Sequence, residues 1–270
     1  MNDATVTERV LKRDRLIVAG GLFAVALLAW LFVLGGAGTG MSIGAMSTWR
    51  FPPPILPAAN EAWPLQYWLV MLAMWWVMMI AMMVPSAAPT ILLYARAVRF
   101  AQKQGQLAAA AVPTAWFALG YLLAWLGFSA AAVLAQWALE RLGLMHAMMM
   151  WSLDGWLTGA ILIAAGAFQL SPLKDICLGS CRMPAAFLAR HWREGNAGAV
   201  RMGAAHGLYC VGCCWLLMAL LFAGGIMNLV WIAVLALLVL AERALPKGRL
   251  VSRAAGVLLL AAGLYVLVIG

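Results

Sequence analysis

Three cysteines and a histidine fall on one face of an apolar segment of this chain. Residues 202–218 read MGAAHGLYCVGCCWLLM. At the helical period of 3.6 residues, His206, Cys210, Cys213 and Cys214 lie within about a third of the helix circumference. Thiolate, imidazole and thioether groups are the ligands of a soft metal, and Cu(I) is the first candidate. The stripe therefore predicts a metal site formed by these four residues, with small-residue packing of cysteine as the alternative.

A methionine stripe on another apolar segment adds thioether ligands. Residues 69–90 read LVMLAMWWVMMIAMMVPSAAPT, and Met78 and Met82 lie one turn apart on one helix face. If this segment and the cysteine segment cross a membrane in opposite directions, the two stripes overlap in depth. This overlap suggests a composite site between the two helices, with methionine packing in the core as the alternative. Pro85 and Pro89 are expected to break or kink the helix below the stripe.

A second cysteine pair, Cys177 and Cys181, stands four residues apart after another apolar segment. If this stretch is helical, the two thiols share a face. The functional interpretations are a point of metal uptake on the cytoplasmic side or a reactive thiol pair. The alternative is two unrelated reduced thiols, because this spacing is less diagnostic than C-x-x-C.

The elements that position these residues are apolar segments long enough to cross a bilayer. Of the 270 residues, 66% are hydrophobic and 10% are charged, whereas a soluble domain carries about 25% charged residues. The predicted fold class is all-α: a polytopic helical membrane protein with about seven transmembrane helices, forming a single membrane domain over residues 1–270. The seven segments are Leu16–Val33, Tyr67–Tyr94, Thr114–Trp137, Trp156–Leu170, Val200–Phe222, Met227–Ala241 and Val251–Ile269.

The distribution of basic residues predicts the orientation. With the N-terminus inside and seven crossings, every Lys and Arg except Arg50 and Arg141 lies on the inner side. We therefore expect the N-terminus in and the C-terminus out. This arrangement gives a cytoplasmic basic N-terminus at 1–15, an outer loop at 34–66 and an inner loop at 171–199 that holds the second cysteine pair. It accounts for the net charge of +9 without a nucleic-acid partner.

Other classes of function find little support in the sequence. There is no G-x-S-x-G, H-E-x-x-H or P-loop motif, so the chain is not predicted to be an enzyme. All nine acidic residues are expected in loops or at span ends, which disfavours a proton relay through the membrane. Gly203 and Gly207 give the cysteine helix a small-residue face for close packing against another helix.

Cys, Met and Pro recur together in three blocks: MWWVMMIAMMVPSAAPT, FQLSPLKDICLGSCRMP, and the stretch from Gly203 through CVGCCWLLM to Asn228. These blocks resemble the signature blocks of a bacterial family of predicted metal-binding integral membrane proteins. Its domain is of unknown function, and some members are labelled copper chaperones. The resemblance covers about residues 65–245 and also includes the Glu242-Arg243 pair, where the family more often has Glu-Lys. It implies metal binding at the matching positions, which are Met78, Met82, Met83, Cys177, Cys181, Cys210, Cys213 and Cys214.

The predicted function is binding of a soft metal, Cu(I), in the lipid bilayer, and its exchange with a copper-protein or membrane-complex partner during copper handling or copper-protein assembly. One alternative is a structural or assembly subunit of a larger membrane complex. Another is a thiol–disulfide redox protein that uses Cys177/Cys181 and Cys210/Cys213. A disulfide between residues i and i+3 of a regular helix strains the bond geometry, and the inner pair faces a reducing compartment.

Overall fold

The computed structural model describes the backbone of residues 3–39, 41, 43–47, 63–104, 113–145, 152 and 154–269. Within these residues the chain is helical and contains no β-strand, so the all-α class is confirmed. The described helices are α1 (Asp3–Leu34), α2 (Ile43–Ser47), α3 (Leu65–Lys103), α4 (Pro113–Arg141), α5 (Gly155–Leu170), α6 (Pro172–Arg182), α7 (Pro184–His191), α8 (Gly195–Ala219), α9 (Leu221–Gly224), α10 (Leu229–Ala244) and α11 (Gly248–Ile269).

Five of the described helical segments are long and apolar enough to cross a membrane: α1, α3, α4, α8 together with α9, and α11. A sixth is formed if α5 and α6, which meet at an angle of 65°, count as one broken span. The expected seven spans are not supported, because α5 and α10 have only 16 residues each. Such helices are about 24 Å long, whereas the hydrocarbon core of a bilayer is about 30 Å thick.

Apolar side chains on the outside of the helix assembly agree with a multi-pass membrane protein. Phe23 on α1 is 69% exposed, and Val268 on α11 is 82% exposed. Soluble proteins rarely leave contiguous apolar surface of this kind uncovered, whereas lipid solvates it.

Helix α3 runs for 39 residues through Pro85 and Pro89, so the helix is not broken below the methionine stripe, and the alternative of a kink there stays a prediction. The hydroxyl of Ser86 donates to the carbonyl of Met83 at 2.9 Å. A proline in a membrane helix is tolerated where hydroxyl groups and neighbouring helices satisfy the local backbone.

The expected inner loop at 171–199 contains two short helices, α6 and α7, and the start of α8, and its position on the inner side stays a prediction. Ser171 caps α6: its hydroxyl accepts a hydrogen bond from the backbone amide of Lys174 at 3.3 Å. Pro172 follows at the first helical position, where its missing N–H costs nothing. A capped helix thus begins where the apolar run ends, and it turns the second cysteine pair back towards α8.

The two other expected segments are only partly described. Helix α1 begins at Asp3, so residues 3–15 of the basic N-terminus continue directly into the first span. The expected outer loop at 34–66 contains α2 and the first residues of α3, while residues 40, 42 and 48–62 lie outside the described part of the chain.

Glycines allow two helix pairs to pack with their backbones almost in contact. A Cβ atom placed on Gly203 or Gly120 falls closer than 3.0 Å to the backbone of the facing helix, in the pair α4–α8. One placed on Gly207 falls 2.6 Å from the Cβ of Ala124 on α4. The small-residue face predicted for the cysteine helix is therefore confirmed, and it brings α4 against the cysteine stripe. Helices α5 and α11 pack in the same way.

Candidate metal centre

The cysteine stripe of α8 is completely enclosed. His206, Cys210, Cys213 and Cys214 are each at most 1% exposed. The thiols of Cys213 and Cys214 donate to the carbonyl of Cys210 at 3.2 and 2.9 Å, which ties all three side chains to one turn of the helix. All five cysteines of the chain are free thiols.

Arg243, from the last turn of α10, reaches into this stripe. Its Nη2 atom lies 3.0 Å from the Sγ atoms of both Cys210 and Cys213, and 3.8 Å from the Sγ of Cys214. Because both Sγ atoms lie 3.0 Å from the same nitrogen, the sulfurs of Cys210 and Cys213 are at most about 6 Å apart. The sequence indicated Arg243 only as a basic residue at the end of an apolar segment. The resemblance did include the Glu242-Arg243 pair, and that pair was a signal that could have identified Arg243 as part of the site.

Two further helices complete the wall around Cys210. The hydroxyl of Tyr121 on α4 lies 3.0 Å from the Sγ of Cys210 and donates to the carbonyl of Met83 on α3 at 3.2 Å. Ser86, also on α3, accepts a hydrogen bond from Nη1 of Arg243 at 2.8 Å. Side chains from α3, α4 and α10 therefore converge on a single turn of α8. The spacing of residues along the sequence did not indicate Tyr121 or Ser86.

The second cysteine pair approaches the same turn of α8. The side chains of Cys181 and Cys213 are within hydrogen-bonding reach of each other. The Sγ of Cys177 lies 3.3 Å from the position that a Cβ on Gly212 occupies. Helix α6 thus places both thiols beside the stripe, and Cys181 joins the cluster formed by Cys210, Cys213, Cys214 and Arg243.

His206 precedes Cys210 by one turn of α8 and lies among aromatic rings. Its ring centre is 5.8 Å from that of Tyr121 and 5.1 Å from that of Phe187. Its Nδ1 atom is buried without a hydrogen-bond partner among the described residues. A buried imidazole nitrogen of this kind keeps a lone pair or a proton available to a ligand.

The methionine stripe lies inside the helix assembly, in the same buried core as the cysteines of α8. Met78 and Met82 are at most 1% exposed. In the part of the chain that the structure describes, the cysteine thiols make their hydrogen bonds to Tyr121, Arg243 and backbone, and not to either methionine. The composite site predicted between the two stripes therefore stays a prediction.

A buried ion pair next to the cluster was not predicted. Lys174 on α6 and Glu242 on α10 are each 1% exposed, and Nζ lies 2.7 Å from Oε2. Gln169 donates to the other carboxylate oxygen at 2.7 Å. Glu242, which was expected at the end of a span, lies in the last turn of α10 and is buried there. The pair fastens α6 to α10, and so fixes Cys181 relative to Arg243.

The donor set fits a soft monovalent cation better than a hard one. The cluster offers four thiols and no carboxylate, because Glu242 is already paired. Among the described residues, no three His, Cys, Asp or Glu side chains are placed so that they could hold a metal ion as they stand. The sulfurs surround a guanidinium nitrogen at 3.0–3.8 Å, whereas metal–thiolate bonds are about 2.3 Å long.

Comparison with known proteins gives one match. A family model described as a copper chaperone (PpoB2) matches residues 72–266. This range contains the methionine stripe, all five cysteines and Arg243. No curated protein and no solved structure matches the chain.

Proposed function

The chain belongs to the copper chaperone family, and from this premise we propose that it binds Cu(I) as cargo at the thiol cluster of α8. The resemblance noted in the sequence is thereby confirmed at the level of the family. The proposed ligands are Cys210, Cys213 and Cys214, with Cys181 completing the set. His206 is the proposed neighbouring ligand one turn below.

The observation that carries this proposal is the convergence of thiols around a positive charge. Two sulfurs lie at 3.0 Å from one guanidinium nitrogen, and a third lies at 3.8 Å. Cysteine alone often packs as a small apolar side chain. Packing gives no reason for three thiols on one helix and one on another to face the same cation in a buried site.

Cys177 and Cys181 are proposed as the point where copper enters the cluster from the inner side. Cys177 is partly exposed, whereas the cysteines of α8 are enclosed. Since α6 carries both residues on one face, an ion bound at Cys177 moves by about one helical turn to reach Cys181, which is next to Cys213. Thiols that follow one another from a partly exposed to an enclosed position allow copper to move inward by exchange from one thiol ligand to the next.

Met78 and Met82 are proposed as weaker ligands on the route towards the other end of α3. Thioethers bind Cu(I) without carrying a charge, so they hold the ion less tightly than thiolates do. A chaperone must release its cargo, and the partner in this proposal is a copper protein or a membrane complex under assembly. The proposed location is the bacterial inner membrane, with the N-terminus on the cytoplasmic side.

Copper content of the purified protein tests the proposal. The protein is extracted in detergent under reducing conditions, supplied with Cu(I), freed of excess ion by gel filtration and analysed for metal per chain. Wild-type protein is expected to retain copper in stoichiometric amount. The triple variant Cys210→Ser/Cys213→Ser/Cys214→Ser is expected to retain none, while it elutes as the same monodisperse species.

A matched pair of methionine variants separates ligand from packing effects. Met78→Leu keeps volume and apolarity in the core, so the fold is retained while copper is held less tightly. Met183→Leu makes the same change at a methionine that is 58% exposed, and it is expected to behave as wild type. Wild-type protein that holds no copper contradicts the proposed function and favours a structural subunit. A triple cysteine variant that keeps its full copper content contradicts the proposed site and places the copper elsewhere in the protein.

A further inference from the structure

We propose that Arg243 occupies the cation position of the thiol cluster in the metal-free protein, and that Cu(I) binds by displacing it. The chaperone then alternates between two states in which the same sulfurs face either a guanidinium group or a copper ion. This inference rests on the proposed function, because it requires the cluster of α8 to be the copper site.

The geometry of the cluster supports exchange at a single position. Nη2 of Arg243 is the common neighbour of Cys210, Cys213 and Cys214, at 3.0, 3.0 and 3.8 Å. A metal–thiolate bond of about 2.3 Å requires the two nearer sulfurs to move by about 0.7 Å relative to the position of that nitrogen. Adjustments of this size are within reach of side-chain rotation. The guanidinium and a metal ion cannot occupy the position together.

The charge of the departing group favours a monovalent ion. The guanidinium group is permanently protonated, and the carboxylate next to it in sequence, Glu242, is paired with Lys174 instead. Cu(I) brings the same single positive charge that the guanidinium group takes away. The thiols of Cys213 and Cys214 donate hydrogen bonds in the metal-free protein, and each thiol that binds Cu(I) releases its proton to solvent. A divalent ion requires the release of one more proton to reach the same net charge in this buried site.

The guanidinium group of Arg243 does not use all of its hydrogen-bond donors in the cluster, which favours its release. Its Nη1 donates to Ser86 at 2.8 Å, but its Nε is buried without a partner among the described residues. Arg243 is half-buried and stands in the last turn of α10, one residue before the helix ends at Ala244. The following residues, Leu245 and Pro246, are exposed, so α10 ends at the surface, and the guanidinium group leaves the cluster at that end in this proposal.

Chemical modification of arginine in the wild-type protein tests the exchange directly. Protein in detergent is treated with phenylglyoxal, which reacts with exposed guanidinium groups, with and without bound Ag(I). Silver serves as a soft monovalent probe that does not undergo redox chemistry. Modification is read for each peptide by mass spectrometry, and bound silver is measured in the same sample. Arg249, which is 63% exposed at its side chain, is the internal control.

The expected result is that Arg243 reacts at least about tenfold faster when silver is bound, while Arg249 reacts at its unchanged rate. If silver is bound and Arg243 remains as protected as before, the exchange is wrong although the proposed function stands. If no silver binds, the proposed function fails and the exchange fails with it. The two failures are therefore distinguished by the metal content of the sample.

A variant provides the second measurement. Arg243→Leu removes the competing cation and offers copper no ligand, and Arg249→Leu is the matched control. Cu(I) affinity is measured by competition with a Cu(I) chelator at pH 9, where protons compete less for thiols than at neutral pH. Arg243→Leu is expected to bind Cu(I) about tenfold more tightly than wild type, equivalent to about 1.4 kcal/mol. Unchanged or weaker binding contradicts displacement and makes Arg243 a residue that only positions the thiols.

Discussion

Replacing Gly203 with alanine places a methyl group against the backbone of α4. The new Cβ falls closer than 3.0 Å to the carbonyl of Phe117 and 3.1 Å from its Cα, whereas ordinary contacts begin at 3.4 Å. Backbone atoms cannot rotate away as a side chain does, so α4 and α8 must separate locally by about 1 Å. Overpacking of this kind costs about 1–3 kcal/mol in protein cores.

The local separation of α4 and α8 is expected to lengthen a contact in the thiol cluster as well. Tyr121 follows Phe117 by one turn of α4, and its hydroxyl lies 3.0 Å from the Sγ of Cys210. An increase of about 1 Å leaves this contact near 4 Å, where a hydrogen bond to sulfur is weak. Gly203→Ala is therefore expected to lower both thermal stability and copper retention, although it touches no proposed ligand.

The assay is thermal unfolding of the purified protein in detergent, followed by tryptophan fluorescence, together with copper content after gel filtration. Gly127→Ala is the matched control. Gly127 lies on α4, the helix that faces Gly203, and a Cβ added to it has no atom within 4 Å. That variant is expected to be neutral or slightly stabilising, because alanine favours the helix by about 1 kcal/mol over glycine. Equal unfolding temperatures for Gly203→Ala and Gly127→Ala would refute the close contact between α4 and α8.

Three further predictions follow from the structure. Lys174→Met leaves Glu242 buried without its partner and is expected to cost about 3–5 kcal/mol, measured as a fall in the unfolding midpoint, whereas the double variant Lys174→Met/Glu242→Gln recovers much of that loss. A membrane-impermeant thiol reagent is expected to label Cys177 faster in inside-out vesicles than in right-side-out cells. Equal labelling from both sides contradicts the proposal that α6 lies on the inner side of the membrane. A reporter active only in the periplasm is expected to function when fused after Arg141, at the end of α4, and to be silent after Lys103, at the end of α3; the reverse pattern contradicts the proposed orientation of the N-terminus.

Local sequence signals were sufficient for the features that depend on one helix at a time. The 3.6-residue period placed His206 and the three cysteines of α8 on one face, and that face is buried. The spacing of Gly203 and Gly207 indicated close packing, which the structure confirms. The signal for the start of α6 was also available in Ser171 and Pro172, a cap followed by a proline at the first helical position.

What the sequence by itself determined is an all-helical chain with spans rich in apolar residues and a thiol stripe on one helix. Hydrophobic period and length are properties of a single segment, so they can be predicted without knowing its neighbours. Only the tertiary structure decided that Arg243 faces Cys210 from 33 positions away and that Lys174 pairs with Glu242 from 68 positions away. Such pairs depend on which helices pack together and in which rotation. In a membrane that choice is set by close backbone contact at glycines and by the need of each buried charge for a partner, and neither is encoded within one segment.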